Sequence, residues 1–300
     1  MHLEGSIVVG LGSLKGPAVP ALDWAANEAQ ARGARLTVIR AYYVAGSGDP
    51  RVAALDHQML KDLRRDAELH LADGLDRLRQ RWPDLPVSCR AVQGERTHVL
   101  AEASRSALLT VVGGRRTGRG RFTLGRSVGE LLAATGCGPV IVVGRREVPP
   151  VERPAVVAGL DGGPDSDQIL GFAFERASWH KRMVRIVFSP GEQRDDGGAS
   201  LRCARERTQS WLSTCLAGWE QRYPQVEVQL QIVANWPATA FAQASVGQDL
   251  LVIGDRARHV WPATLLGSLN RTLLRHASCP IAIVHPALQP GTQGARGTHR

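Results

Sequence analysis

Residues 249–284, DLLVIGDRARHVWPATLLGSLNRTLLRHASCPIAIV, repeat residues 108–143, LLTVVGGRRTGRGRFTLGRSVGELLAATGCGPVIVV, at a constant separation of 141 positions. Each stretch reads as an apolar strand, a loop rich in Gly, Arg and Ser, a helix, and a second apolar strand opened by a proline. Such a loop presents backbone N–H and guanidinium groups to an anion at the carboxyl end of a strand, where phosphates bind in α/β sheets.

The repeat extends outward from these stretches. Residues 6–10 form a β-rich run ending in glycine, followed by Leu22, Ala25, Ala26 and Ala29 at helical spacing. Residues 156–159 lead into the turn GLDGGPDSD and then Leu170, Ala173, Phe174 and Ala177 at the same spacing. Runs at 35–41 and 185–189 predict second strands, and charged amphipathic helices follow at about 53–81 and 200–222. RWPDLPVSCRAV and RYPQVEVQLQIV predict third strands, with helices at 97–105 and 238–244 before the loop-bearing units. Strands alternating with helices imply parallel sheets covered on both faces. The expected fold is therefore α/β, two tandem doubly wound five-stranded parallel sheets of Rossmann-like type. The expected domains are 1–147 and 153–286, with a disordered tail at 287–300 where apolar residues are too few to order the chain.

A chain of 300 residues with 43% hydrophobic residues suits two domains, each with its own core. The first residues, MHLEGSIVVGLG, lack a basic region followed by a long apolar one, and no stretch of roughly 18 apolar residues occurs. The expectation is a soluble cytoplasmic protein that does not enter a membrane. Cys89, Cys137, Cys203, Cys215 and Cys279 are scattered and never in CxxC spacing, which predicts reduced structural thiols. The net charge of +9 invites a nucleic-acid partner. Yet the excess is arginine spread over both copies, with lysine only at Lys15, Lys61 and Lys181, so nucleic acid is not the expected partner. Arg115, Arg116, Arg119, Arg121 and Arg126 are the exception, crowded into one loop.

In the second copy the loop runs Gly254-Asp255-Arg256-Ala257, then nine residues, then Gly267-Ser268. With the tandem organisation, this resembles the universal stress protein family, whose ATP-binding members carry G-x2-G-x9-G-(S/T) here and an acidic turn after the first strand. The resemblance covers essentially the whole chain and implies an adenine nucleotide alpha hydrolase-like fold that binds ATP, with or without magnesium, in a regulatory stress response. It places Asp161, between Gly159 and Gly162, beside the ribose and adenine, and Val187 as an adenine wall. Gly254 would allow a tight exit from the strand, and Gly267 a close phosphate approach. Ser268 and Leu269 would supply free N–H groups at a helix start, and Arg256 and Arg258 charge-assisted bonds. Ala257 stands where the family has its second glycine, a departure that the backbone tolerates at negative φ.

The first copy departs further. Its turn, Gly10-Leu11-Gly12-Ser13, has no carboxylate at the place of Asp161. Its loop has Gly113 and Gly114, then Arg115 and Arg116 where a glycine is expected, and Gly125-Arg126-Ser127-Val128 in place of Gly-Ser. A weaker, degenerate site is expected there, with nucleotide held mainly by the second copy. No GxxxxGK[ST], GxSxG or HExxH occurs, and His180, His259 and His276 are not spaced as a metal set, so no catalytic residues and no metal are assigned. The apolar edge strands 140–143 and 281–284 are expected to pair within the chain, and a homodimer is a further expectation. The rivals to nucleotide binding are a nucleotide-free scaffold that contacts partners and, behind it, a basic nucleic-acid-associated protein.

Overall fold

The computed structural model describes residues 3–12, 18–44, 53–114, 128–144, 148–189, 198–233, 235–255 and 267–285. Of the expected site residues, Arg115, Arg116, Gly125, Ser127, Arg256, Ala257 and Arg258 lie outside them, as do His259 and the tail 287–300. The first half runs β1 (Ser6–Gly10), α1 (Ala18–Arg32), β2 (Arg35–Tyr42), α2 (Ala53–Arg81), β3 (Val87–Gln93), α3 (Arg96–Ser104), β4 (Leu109–Gly113), α4 (Val128–Thr135) and β5 (Val140–Val143). The second runs β6 (Val156–Leu160), α5 (Ser166–His180), β7 (Val184–Phe188), α6 (Gly198–Arg222), β8 (Val228–Ile232), α7 (Pro237–Ala244), β9 (Leu250–Gly254), α8 (Ser268–His276) and β10 (Ile281–Val284).

The strands form one sheet of ten, in the order β3-β2-β1-β4-β5-β10-β9-β6-β7-β8. Within each half every pairing is parallel, while β5 and β10 pair antiparallel with Ile281 opposite Val142 and Ile283 opposite Val140. The two five-stranded sheets expected from the sequence therefore meet in a continuous one. The reason lies in the edge strands: VIVV and IAIV bury every side chain, and their outer N–H and C=O groups satisfy one another across the seam.

Side-chain alternation along the strands divides the core. Ile7 and Val9 face a layer made by α1, α2, α5 and α6, whereas Val8 faces α3 and α4. The first layer is continuous across both halves. It can be so tight because α1 meets the sheet through Ala21, Leu22, Ala25, Ala26 and Ala29, all fully buried and mostly small. The buried positions of α1 recur in α5 at a separation of 148 residues, seven more than the 141 of the loop-bearing stretches, because the first copy is longer between the two. Among the described residues no helix is long and apolar enough to cross a membrane.

In each half the chain leaves two neighbouring strands in opposite directions: from β1 and β4 in the first, from β6 and β9 in the second. These are topological switch points, and a crevice opens beyond the carboxyl ends of the paired strands.

Candidate functional site

Beyond β6 the chain turns through Asp161 and Gly162. The Gly163 N–H donates to Asp161 Oδ1 at 3.0 Å, an Asx-type closure, and Gly162 has φ +82°, which favours glycine. Asp165 then stands at the N-cap of α5, buried, with no side-chain bond to the helix it caps.

Gly254 ends β9, and its role differs from the expected tight turn. Its φ is not positive; instead, a Cβ there would lie 2.7 Å from Asp165 Cβ and 2.8 Å from Asp165 Oδ2. Close packing of Asp165 requires the glycine. Gly159 is also explained by packing, since its Cβ would meet the Phe241 ring at 3.0 Å. Val187, expected as an adenine wall, is 1% exposed and packs with Val157, Phe241 and Ile253. Alternation along β7 turns its side chain into the layer under α7.

Across the crevice α8 begins. Gly267 is its N-cap and Ser268 its first residue, so the serine is one position inside the place where a capping hydroxyl would act. The cap supplies no side-chain acceptor, and a Cβ on Gly267 would meet nothing within 4 Å. The first N–H groups of α8, at Ser268, Leu269 and Asn270, carry the partial positive charge of a helix start. Ser268 is exposed and Leu269 half-buried.

Asn270 went unnoticed in the sequence. It is buried, its Nδ2 donates to the Gly254 carbonyl at 3.2 Å, and its Oδ1 has no hydrogen-bond partner among the described residues. It ties the start of α8 to the end of β9. The available signal was an amide three positions before Leu273 on the apolar stripe of the helix. Asp255, fully buried, donates its N–H to Val284 O and lies with Oδ2 3.6 Å from His285 Nε2. Three carboxylates thus cluster at the carboxyl ends of β6 and β9: Asp161, partly exposed, and Asp165 and Asp255, buried.

The first-half crevice is built from smaller groups. A Cβ on Gly10 would meet Leu100 at 2.7 Å, as Gly159 meets Phe241. Gly113 ends β4 and Val128 begins α4. Where the second half has Asp255, Asn270 and His285, the positions 141 earlier hold Gly114, Gly129 and Gly144. Gly114 and Gly129 both abut Val142, at 2.9 and 3.1 Å from a would-be Cβ. No polar side chain ties α4 to β4 at these positions. Among the described residues of either half, no group of His, Cys, Asp and Glu could hold a metal ion.

The family model described as the universal stress protein family matches residues 5–144 and 153–285. A universal stress protein of Mycolicibacterium smegmatis is 30% identical over 296 residues, covering 94% of this chain and 98% of that protein. One of Mycobacterium tuberculosis is 29% identical over 299 residues, covering 94% and 97%. In shape, the crystal structure of a universal stress protein from Archaeoglobus fulgidus aligns with a TM-score of 0.65 at 14% identity, over 94% of this chain and 98% of that one. The tandem of two matched units, the doubly wound halves and the near full-length similarity agree: this chain belongs to the universal stress protein family.

Proposed function

We propose that this universal stress protein binds an adenine nucleotide, ATP in the first instance, mainly through its second half, and acts as a regulatory binding protein without catalysis of its own. The observation that carries this is a pair of features at the carboxyl end of the second half's sheet: the uncapped start of α8 at Gly267–Ser268 and the carboxylate of Asp161 in the turn after β6. Helix-start N–H groups favour phosphate oxygens, and a partly exposed carboxylate at Asp161 suits ribose hydroxyls. Loop residues 256–266, with Arg256, Arg258 and the departure Ala257, would complete the phosphate contacts. The first half, with Gly12 at the place of Asp161, keeps the helix start without the acid.

A second reading has an observation of its own. Asp165 is packed onto Gly254, and three carboxylates, Asp161, Asp165 and Asp255, gather at the ends of β6 and β9, negative charge that suits a nucleotide-free scaffold. Mass spectrometry of small molecules released on denaturing the freshly purified chain separates the two. Nucleotide binding predicts an adenylate, and a rise of Tm with added ATP that Asp161→Ala abolishes. No released adenylate together with no ATP-dependent shift would leave the scaffold.

A further inference from the structure

A cavity of about 750 Å³ opens on the seam between the halves, between α1, the residues just before β9 and the turn from α8 to β10. It lies at the amino end of β9, whereas the nucleotide crevice lies at the carboxyl end. That volume falls within the range of small-molecule sites.

The cavity exists because equivalent residues of the two halves differ. On one side of the seam the Arg32 guanidinium stacks 4.1 Å over the Trp179 ring and 5.5 Å from that of Phe172, filling the space. The positions equivalent to Trp179 and Arg32, at the 148-residue separation, are Ala31 and His180, and both line the cavity. At the strand ends His285 lies between two carbonyls of the first half, with Nδ1 2.8 Å from Gly138 O and Nε2 2.8 Å from Ala133 O. Its equivalent after β5 is Gly144, another cavity wall. One side of the seam carries the Arg32–Trp179 stack, and the other carries the cavity.

Charge on the cavity side is unbalanced. Asp23 is held by Arg77 and Arg81 at 2.6 Å, and Asp249 by Arg176 at 2.9 Å. Buried Glu28 is held by Arg32 at 2.6 Å and by Arg176. Arg182 lines the cavity, acts electrostatically on both Arg176 and His180, and has no carboxylate partner among the described residues. Apolar surface comes from Pro20, Pro280 and Trp24, whose ring carries the Arg176 guanidinium at 4.6 Å.

We propose that the cavity side of the seam binds a small planar organic anion, with its carboxylate or phosphate against Arg182 and its flat apolar part among Pro20, Trp24 and Pro280. The site is independent of the nucleotide reading. The test uses the full chain with salicylate, phenyl phosphate and neutral benzyl alcohol, followed by calorimetry and saturation-transfer NMR. At least one anion should bind saturably, at least tenfold tighter than benzyl alcohol, and excess ATP should not displace it. The tighter of the two anions identifies the head group. Arg182→Ala, which removes an exposed charge, and Ala31→Trp, which copies Trp179 of the other side, should each weaken binding at least tenfold. Absence of saturable binding, affinity unchanged in Arg182→Ala, or displacement by ATP would overturn the proposal. Arg182→Ala decides the matter even where Ala31→Trp fails to fold.

Discussion

Glu28 is fully buried on α1; at the equivalent position of α5 the second half has Arg176, and the two side chains form an ion pair across the seam. Joining two identical units about a twofold axis would set each of these residues against its own copy, with like charges facing. A single chain carrying both units escapes that restriction. The same freedom gave one half Arg32, Ala31 and Gly144 where the other has His180, Trp179 and His285, so that the two sides of the seam differ and one carries a cavity. It also gave the second crevice Asp161, Asp255 and Asn270 where the first has Gly12, Gly114 and Gly129. The halves share their strand and helix packing and differ where they meet and where a ligand would enter.

Breaking the complementarity of the seam should have the largest effect. Glu28→Gln leaves Arg32 and Arg176 buried without their shared carboxylate, which costs about 3–5 kcal/mol for a broken buried pair. Urea unfolding should show the loss, and a change below about 1 kcal/mol would mean that the pair does not hold the halves together.

Next comes the contrast between two glycines of the same crevice. Gly254→Ala forces a methyl group into Asp165 and should destabilise by about 2 kcal/mol, typical of overpacking. Gly267→Ala meets no described atom within 4 Å and should cost only the difference between glycine and alanine at an N-cap, under about 1 kcal/mol, while weakening ATP binding. Equal Tm losses in the two variants would contradict the distinction.

His180 makes the seam sensitive to acid. Its Nε2 lies 2.9 Å from Glu28 Oε2, but that carboxylate is already shared by two guanidiniums, and burial, then Arg176, pushes the His180 pKa down to about 4. The unfolded chain takes up a proton below about pH 6.5 and the folded one only near pH 4, so stability falls as pH drops through that window. Allowing for its partial exposure, the loss is about 1–2 kcal/mol. Denaturant titrations at pH 7 and pH 4.5 should show that excess loss in the native chain and not in His180→Gln.

The smallest expected effect is at Asn270. Removing its bond to the Gly254 carbonyl in Asn270→Ala should cost about 1 kcal/mol. Faster amide hydrogen exchange should follow at the start of α8, with the start of α4 unchanged, because Gly129 makes no such tie.

The elements were legible in the sequence because local patterns set them. Continuous apolar, β-branched runs marked the strands, and Leu22, Ala25, Ala26 and Ala29 the buried face of α1. The helix expected at 97–105 spans Arg96–Ser104, one residue away at each end, within the fraying of helix ends. The seam was less legible. Nothing local marks Glu28, in the run AANEAQAR, as buried, because its partner is 148 residues away and burial arises only when two helices meet. For the site, the spacing pointed to the switch points, but side-chain direction depends on strand register. That is why Val187 turned out to face the core and Gly254 to accommodate Asp165. Asn270 was missed because an amide on an apolar stripe acquires meaning only from the carbonyl it reaches.

The unequal crevices give the sharpest test. Calorimetric titration of the full chain with ATP should find one nucleotide per chain, with binding abolished by Asp161→Ala and retained when Gly12 is replaced by alanine. Two equivalent nucleotides per chain, or binding unaffected by Asp161→Ala, would contradict the assignment of the nucleotide to the second half.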